Sequence, residues 1–173
     1  CKKYGFDFQP NFYCYENNPE EIRYQVYNLS TLDNRKGVIE EIAVALEQEG
    51  LSYLFKGFRE KPFKNTCIQY TPRVSYQQML NEARYCNVVL DVVKSGQSGL
   101  SFRPFEALGL NKKLITTNVG IREYEFYDPE NVLVLEPGNV SIEKDFFEQP
   151  FKDVDCSVKE KYHIKQWLTN VLN

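Results

Sequence analysis

The stretch SGLSFRPFEALG, residues 98–109, sets serine, arginine and glutamate within a few residues of one another. Those types, arranged around the start of a helix, can hold a phosphate and the hydroxyls of a sugar. Gly96 and Gly99 permit positive φ and close backbone approach, which an anion-cradling loop requires. Pro104 suits the first turn of a helix, where its missing N–H costs nothing. The N–H groups around Ser101 to Phe105 then face outward at the positive end of a helix dipole. Arg103 adds a guanidinium able to make two parallel bonds to a phosphate. Glu106, in the first turn, lies close enough to accept hydrogen bonds from ribose hydroxyls. The same residues also suit a plain strand–loop–helix connection with nothing bound, because glutamate in a first turn is favoured by the dipole alone.

Formal motifs do not decide between the two. GxGxxG and the P-loop pattern are absent, and GxSxG fails because Leu100 stands where glycine is needed. A serine hydrolase would need His163, the only histidine, as its base, and His163 reads better as solvent-facing. Asp91, inside an apolar run, reads as a capping or hydrogen-bonded carboxylate. Tyr124, Phe126 and Tyr127, in REYEFYDPEN, suit either a cleft wall against a nucleobase or the packing of a loop onto the core. Tyr162 and Trp167 are expected to pack back on the sheet.

The elements that would position these residues alternate along the chain. Residues 1–24 are polar and aromatic, punctuated by Pro and Asn, with no sustained period, and read as a lead-in or linker. QVYNLS is a short strand; Val38 to Leu46 carry helical spacing, closed by Gly50. LSYLFKGF alternates like a strand, and TPRVSYQQMLNEARYC reads as a second helix. NVVLDVV (87–93), KKLITT and ENVLVLE are apolar runs of the kind buried on both faces of a parallel sheet. VSIEKDFFEQ and SVKEKYHIKQWLTNVL read as terminal helices. The order predicts an α/β, Rossmann-like parallel sheet with helices on both faces, spanning residues 25–173.

Bulk properties narrow the function classes. A length of 173 residues suits one domain with a sizeable core. A net charge of -3 leaves no electrostatic footprint for nucleic acid. No apolar run approaches the roughly 20 residues needed to cross a bilayer. The five cysteines form no CxxC pair and only one histidine is present, so a zinc site is not expected, and a reducing compartment fits better than a disulfide framework. The first residue is Cys rather than Met, which points to a fragment or a processed N-terminus.

VSYQQMLNEARYCNVVLDVV followed by FEALGLNKKLITTNVGIREYEFYDPENVLVLEPGN resembles the C-terminal, donor-binding half of a GT-B glycosyltransferase. GQSGLSFRPFEALGLNKKLITTN and YHIKQWLTNVL are most similar to bacterial lipopolysaccharide or capsule biosynthesis transferases of the spore-maturation glycosyltransferase group. The resemblance runs from about residue 26 to the C-terminus. It implies a nucleotide-sugar-dependent transferase, acting on a saccharide or lipid-linked saccharide, in lipopolysaccharide or cell-surface polysaccharide synthesis. It implies no cofactor and no metal, a cytoplasmic location or one at the cytosolic face of the inner membrane, and a missing N-terminal domain from which residues 1–24 lead in. By the same resemblance the donor diphosphate faces Ser98, Gly99, Leu100, Ser101 and Arg103, with Arg35 from the loop Asn34–Arg35–Lys36–Gly37. Glu106 matches the ribose-binding glutamate, and Lys56 and Gly57 fall near a second basic loop. Lys56 and Tyr124 are candidates for lining the base-side cleft. In many such enzymes a second glutamate precedes the ribose-binding one; its place here is held by Ser98, which carries no charge. No catalytic base can be assigned on this domain. The competing expectation is a non-catalytic, flavodoxin- or receiver-like module that binds a partner protein, although QVYNLSTLDN lacks the acidic cluster a receiver needs at that strand end.

Overall fold

A computed structural model describes residues 8–15, 20–61, 63–65, 67–97, 99–136 and 138–172. Six strands form one sheet in the order β3-β2-β1-β4-β5-β6, and every pairing is parallel. The strands are β1 Tyr24–Thr31, β2 Tyr53–Phe58, β3 Gln69–Thr71, β4 Cys86–Asp91, β5 Lys113–Thr116 and β6 Val132–Val134. Helices α1 Lys36–Gln48, α2 Tyr76–Ala83 and α3 Arg103–Gly109 carry three of the crossovers. A 3-10 turn, Val119–Glu123, lies between β5 and β6. The short helices α4 Asp145–Glu148, α5 Cys156–Lys161 and α6 Ile164–Leu172 follow. This order is that of the doubly wound dinucleotide-binding fold. It differs from the 2-1-3-4-5 order of flavodoxins and receivers, so the competing flavodoxin- or receiver-like architecture is corrected by the strand order.

Alternation along the strands splits the core in two. Val26, Val88, Leu90 and Ile115 point to one face, under Ile39, Ile42 and Leu46 of α1. Tyr27, Val89 and Leu114 point to the other, under Met79 and Leu80 of α2 and Phe105 and Leu108 of α3. Helices therefore cover both faces, and β4 is buried almost throughout, as its apolar run requires. Helix α1 ends in paired bonds from Gly50 N to Glu47 O and from Leu51 N to Leu46 O, and α3 ends the same way at Asn111 and Lys112, the Schellman arrangement.

Three segments differ from expectation. The helix read over 71–86 is shorter, because Ser75 and Gln78 close a capping box that fixes its start, and Gln69–Thr71 ahead of it joins the sheet as β3. Over VSIEKDFFEQ only Asp145–Glu148 is helical, since Ile142 is drawn into the core instead. The last helix is broken at Tyr162–His163: Tyr13 N donates to Tyr162 O at 3.0 Å and Ile164 N to Tyr13 O at 2.8 Å. That insertion shows that part of the lead-in packs on the domain. Tyr13 is buried, Asn11 Nδ2 donates to Leu100 O at 3.0 Å, and Trp167 Nε1 donates to Pro10 O at 2.7 Å. Tyr162 joins the core as expected, whereas Trp167 packs on Phe12. His163 is half-buried, its ring edge-on to Tyr13. Among the described residues no helix is long and apolar enough to cross a membrane.

The seat of Tyr13 gives a direct test. A Cβ on Gly109 would come within 2.5 Å of Tyr13 Cδ2, so Gly109→Ala is expected to lower stability by about 1–3 kcal/mol in urea unfolding. Gly37, in the first turn of α1, has open space around its missing Cβ, so Gly37→Ala is expected to gain about 0.5–1 kcal/mol.

Candidate functional site

In an open α/β sheet the strand order reverses between β1 and β4, and the chain leaves those two strands in opposite directions. A crevice must open beyond their carboxyl ends. Here it is a cavity of about 580 Å³, within the ~300–1,000 Å³ usual for small-molecule sites. Its floor is Asn28 to Thr31 of β1 and Leu90 to Val92 at the end of β4; α2 supplies Tyr76 and Met79, and the segment before β1 supplies Phe12 and Cys14. The remaining wall holds Arg35, Ser101, Phe102, Arg103 and Glu106.

Four of the residues singled out in the sequence therefore meet: Arg35, Ser101, Arg103 and Glu106. Glu106 is 3% exposed and accepts from Arg103 Nη1 at 2.9 Å across one helical turn. Arg103 Nη2 donates to Leu29 O at 2.7 Å, which ties α3 to the end of β1. Arg35 lies against Asp33, with Nε to Oδ1 at 2.8 Å. Its Nη2 donates to Thr31 O at 3.0 Å and its Nη1 reaches Val92 O at 3.5 Å. One guanidinium thus bridges the carbonyl ends of both strands at the point where they diverge. The aspartate read as a hydrogen-bonded carboxylate is that: Asp91 is 4% exposed and accepts from Ser101 Oγ at 2.9 Å and from Thr116 Oγ1 at 3.0 Å.

The turn into α3 is closed from inside. Ser101 Oγ accepts the Arg103 amide at 3.1 Å while donating to Asp91, so that amide is committed within the protein. With Pro104 lacking an N–H and α3 only seven residues long, the polar side chains of this wall outweigh its helix dipole as anchors for a ligand. Gly96 and Gly99 both take φ of +80°, the left-handed conformation that their places in the loop were read to need.

Other expected site residues lie elsewhere. Gly99, Leu100 and Tyr124 line a second cavity of about 510 Å³, together with Asn118, Lys161 and Tyr162. Tyr124 makes an edge-on contact with Phe105 and tilted contacts with Phe126 and Tyr162 there, and Phe126 is buried, as the loop-packing reading requires. Lys56 is held on β2 by Glu82 at 2.5 Å and lines neither cavity. Ser98 lies outside the described residues. The sequence reading missed Tyr76, which lines the same cavity as Glu106. It also missed Asn28, 2% exposed, whose Nδ2 donates to Leu90 O at 2.9 Å. A polar residue in the middle of a buried strand was the available signal for Asn28; no spacing marks Tyr76.

The buried carboxylates are unlike the exposed ones. Burial pushes Asp91 above the ordinary aspartate range, against the opposing pull of Ser101, Thr116 and the two arginines. Burial likewise raises Glu106, with Arg103 opposing and Asp91 adding to the rise. Asp33 is held low by its bonds to Arg35. A carboxyl raised on folding contributes most stability while it is protonated in both states, and that contribution is lost as pH rises through its folded value. The advantage of Asp91→Asn over the wild type in unfolding free energy is therefore expected to grow from about pH 4 to about pH 7. A constant or shrinking difference would show that the Asp91 charge is well compensated.

No protein-family model matches the chain, and no curated protein does. Among solved structures the chain is similar to the C-terminal domain of a glycosyl transferase group 1 family protein (LpcC) from Francisella tularensis. The TM-score is 0.49 at 15% identity, over 93% of this chain and 87% of that one.

Proposed function

We propose that this chain is the donor-binding domain of a nucleotide-sugar-dependent glycosyltransferase of the GT-B type, acting in lipopolysaccharide or cell-surface polysaccharide synthesis. The observation that carries the reading is the cavity at the strand-order reversal, where Arg35, Arg103 and the buried Glu106 converge. The motif resemblance of residues 74–93 and 105–139 supplies the substrate class and the polysaccharide setting. Transfer breaks the bond between the anomeric carbon and a diphosphate oxygen and forms one to an acceptor hydroxyl. Arg35 and Arg103 face the charge left on the departing diphosphate, where fixed cations in a sheltered site are most effective. No metal ion is called for in this reading. Glu106 accepts from the ribose hydroxyls, and Ser101 fixes the turn against which the phosphates lie. The acceptor and its proton-accepting base belong to a second domain.

A thermal-shift panel of nucleoside diphosphates and nucleotide sugars tests this. A ligand at about one hundred times its Kd adds about 2.7 kcal/mol to the native state, so at least one member is expected to raise Tm clearly. No shift with any member would favour a protein-binding module. Arg103→Ala alone would leave Glu106 buried and unpaired, which is strongly destabilising, so milder variants are the better probes. Arg103→Lys, which loses the planar fork, is expected to weaken binding about tenfold or more, or about 1.4 kcal/mol, with the circular dichroism spectrum unchanged. Full affinity in that variant would remove Arg103 from the site.

A further inference from the structure

The charges around the main cavity do not balance in favour of an anion. Two guanidinium groups, Arg35 and Arg103, face three carboxylates: Asp33 beside Arg35, Glu106 beside Arg103, and Asp91 at the end of β4. With all five ionised the site is net negative before a diphosphate arrives. The arginines are also engaged. Arg35 is bonded to Asp33, Thr31 O and Val92 O; Arg103 is bonded to Glu106 and Leu29 O and abuts Met79 Sδ. A diphosphate can claim Arg103 fully only if Glu106 lets it go, and an ionised, buried Glu106 cannot do so cheaply.

We infer that an anionic ligand enters this cavity together with a proton, taken up by the buried carboxylate pair Asp91 and Glu106. The inference rests on the diphosphate reading above and adds to it the charge state in which the site is filled. Glu106 faces Arg103 on its own helix, Tyr76 of α2, Asp91 of β4 and, from the segment before β1, Tyr15. Asp91 faces Ser101 and Arg103 from the α3 turn, Thr116 of β5, Arg35 from the start of α1, and Glu106. Among the described residues around these two carboxylates, both cations, Arg35 and Arg103, are already paired. The phenols of Tyr15 and Tyr76 are held protonated by burial, with Glu106 adding to the effect, so they can donate but not neutralise. Asp33, held low by Arg35, stays ionised and is no proton acceptor near neutrality. Asp91 and Glu106 remain, already disposed toward the neutral form by burial, and a nearby phosphate disposes them further. Protonated Glu106 keeps its place in the wall and frees Arg103 for the ligand. By linkage, affinity falls as pH rises wherever the complex holds more protons than the free protein.

Calorimetry on the full chain reads the coupling. UDP-glucose and GDP-mannose serve as probes because their diphosphates are fully ionised near neutrality and take up no proton themselves. Binding enthalpy measured at about pH 7 in buffers of different ionisation heat is expected to give a slope corresponding to net proton uptake, approaching one per site. Affinity is expected to fall, by up to tenfold per pH unit, as pH rises above neutrality. The slope should drop in Glu106→Gln or in Asp91→Asn, whichever holds the proton. Measurable binding with zero slope, or a full slope retained in both variants, overturns the coupling and leaves the diphosphate reading standing. No binding of either probe, nor of any member of the nucleotide panel above, removes both. The wild-type slope needs no variant, so a poorly folding substitution does not blunt the test.

Discussion

Two carboxylates are buried where a parallel sheet meets its crossover loops, and the surrounding turns are shaped by the need to compensate them. An unpaired charge in that position would cost several kcal/mol. Asp91 is met by the hydroxyls of Ser101 and Thr116; Glu106 is met by Arg103. The two bonds to Asp91 cross between elements, whereas the Arg103–Glu106 pair lies within α3. Ser101 fixes the entry to α3 on β4, Thr116 brings in β5, and Arg103 reaches back to the Leu29 carbonyl of β1. Arg35 closes the remaining side by joining the ends of β1 and β4. The cavity is the space left inside this polar ring.

That ring explains why the site relies on side chains rather than on a helix dipole. A long helix aimed at the crevice could hold an anion with backbone groups alone. Helix α3 is too short, and its first free amide is turned onto Ser101. In the proposed reading side-chain cations do the binding, and they are shared with protein carboxylates. Selectivity for a charged ligand then depends on how readily those partners are exchanged, which is a property of protonation as much as of shape.

Much of the architecture was legible in the sequence because its signals are local. The apolar run at 87–93, the apolar spacing from Val38 to Leu46 and the Pro104 start of α3 each follow from burial or backbone geometry alone. The capping pair Ser75 and Gln78 was an equally local signal that the sequence reading passed over, and it would have released Gln69–Thr71 to the sheet. What could not be read was set by distant partners. The break at Tyr162–His163 comes from Tyr13, and the tie between Arg103 and Leu29 joins residues 74 apart in the chain. The separation of Gly99, Leu100 and Tyr124 from Arg103 and Glu106 arises because one loop serves two cavities, which chain order does not reveal. Lys56 has the right type and edge for a phosphate ligand, yet its partner Glu82 arrives from another helix.

The most direct test is an amide-resolved NMR titration of the chain with a nucleotide diphosphate. Binding at the strand-order reversal should perturb Thr31, Arg35, Ser101, Arg103 and Glu106 together, with a common saturation curve. Perturbations confined to the surroundings of Tyr124 and Lys161, or absent at those five residues under saturating ligand, would contradict the account.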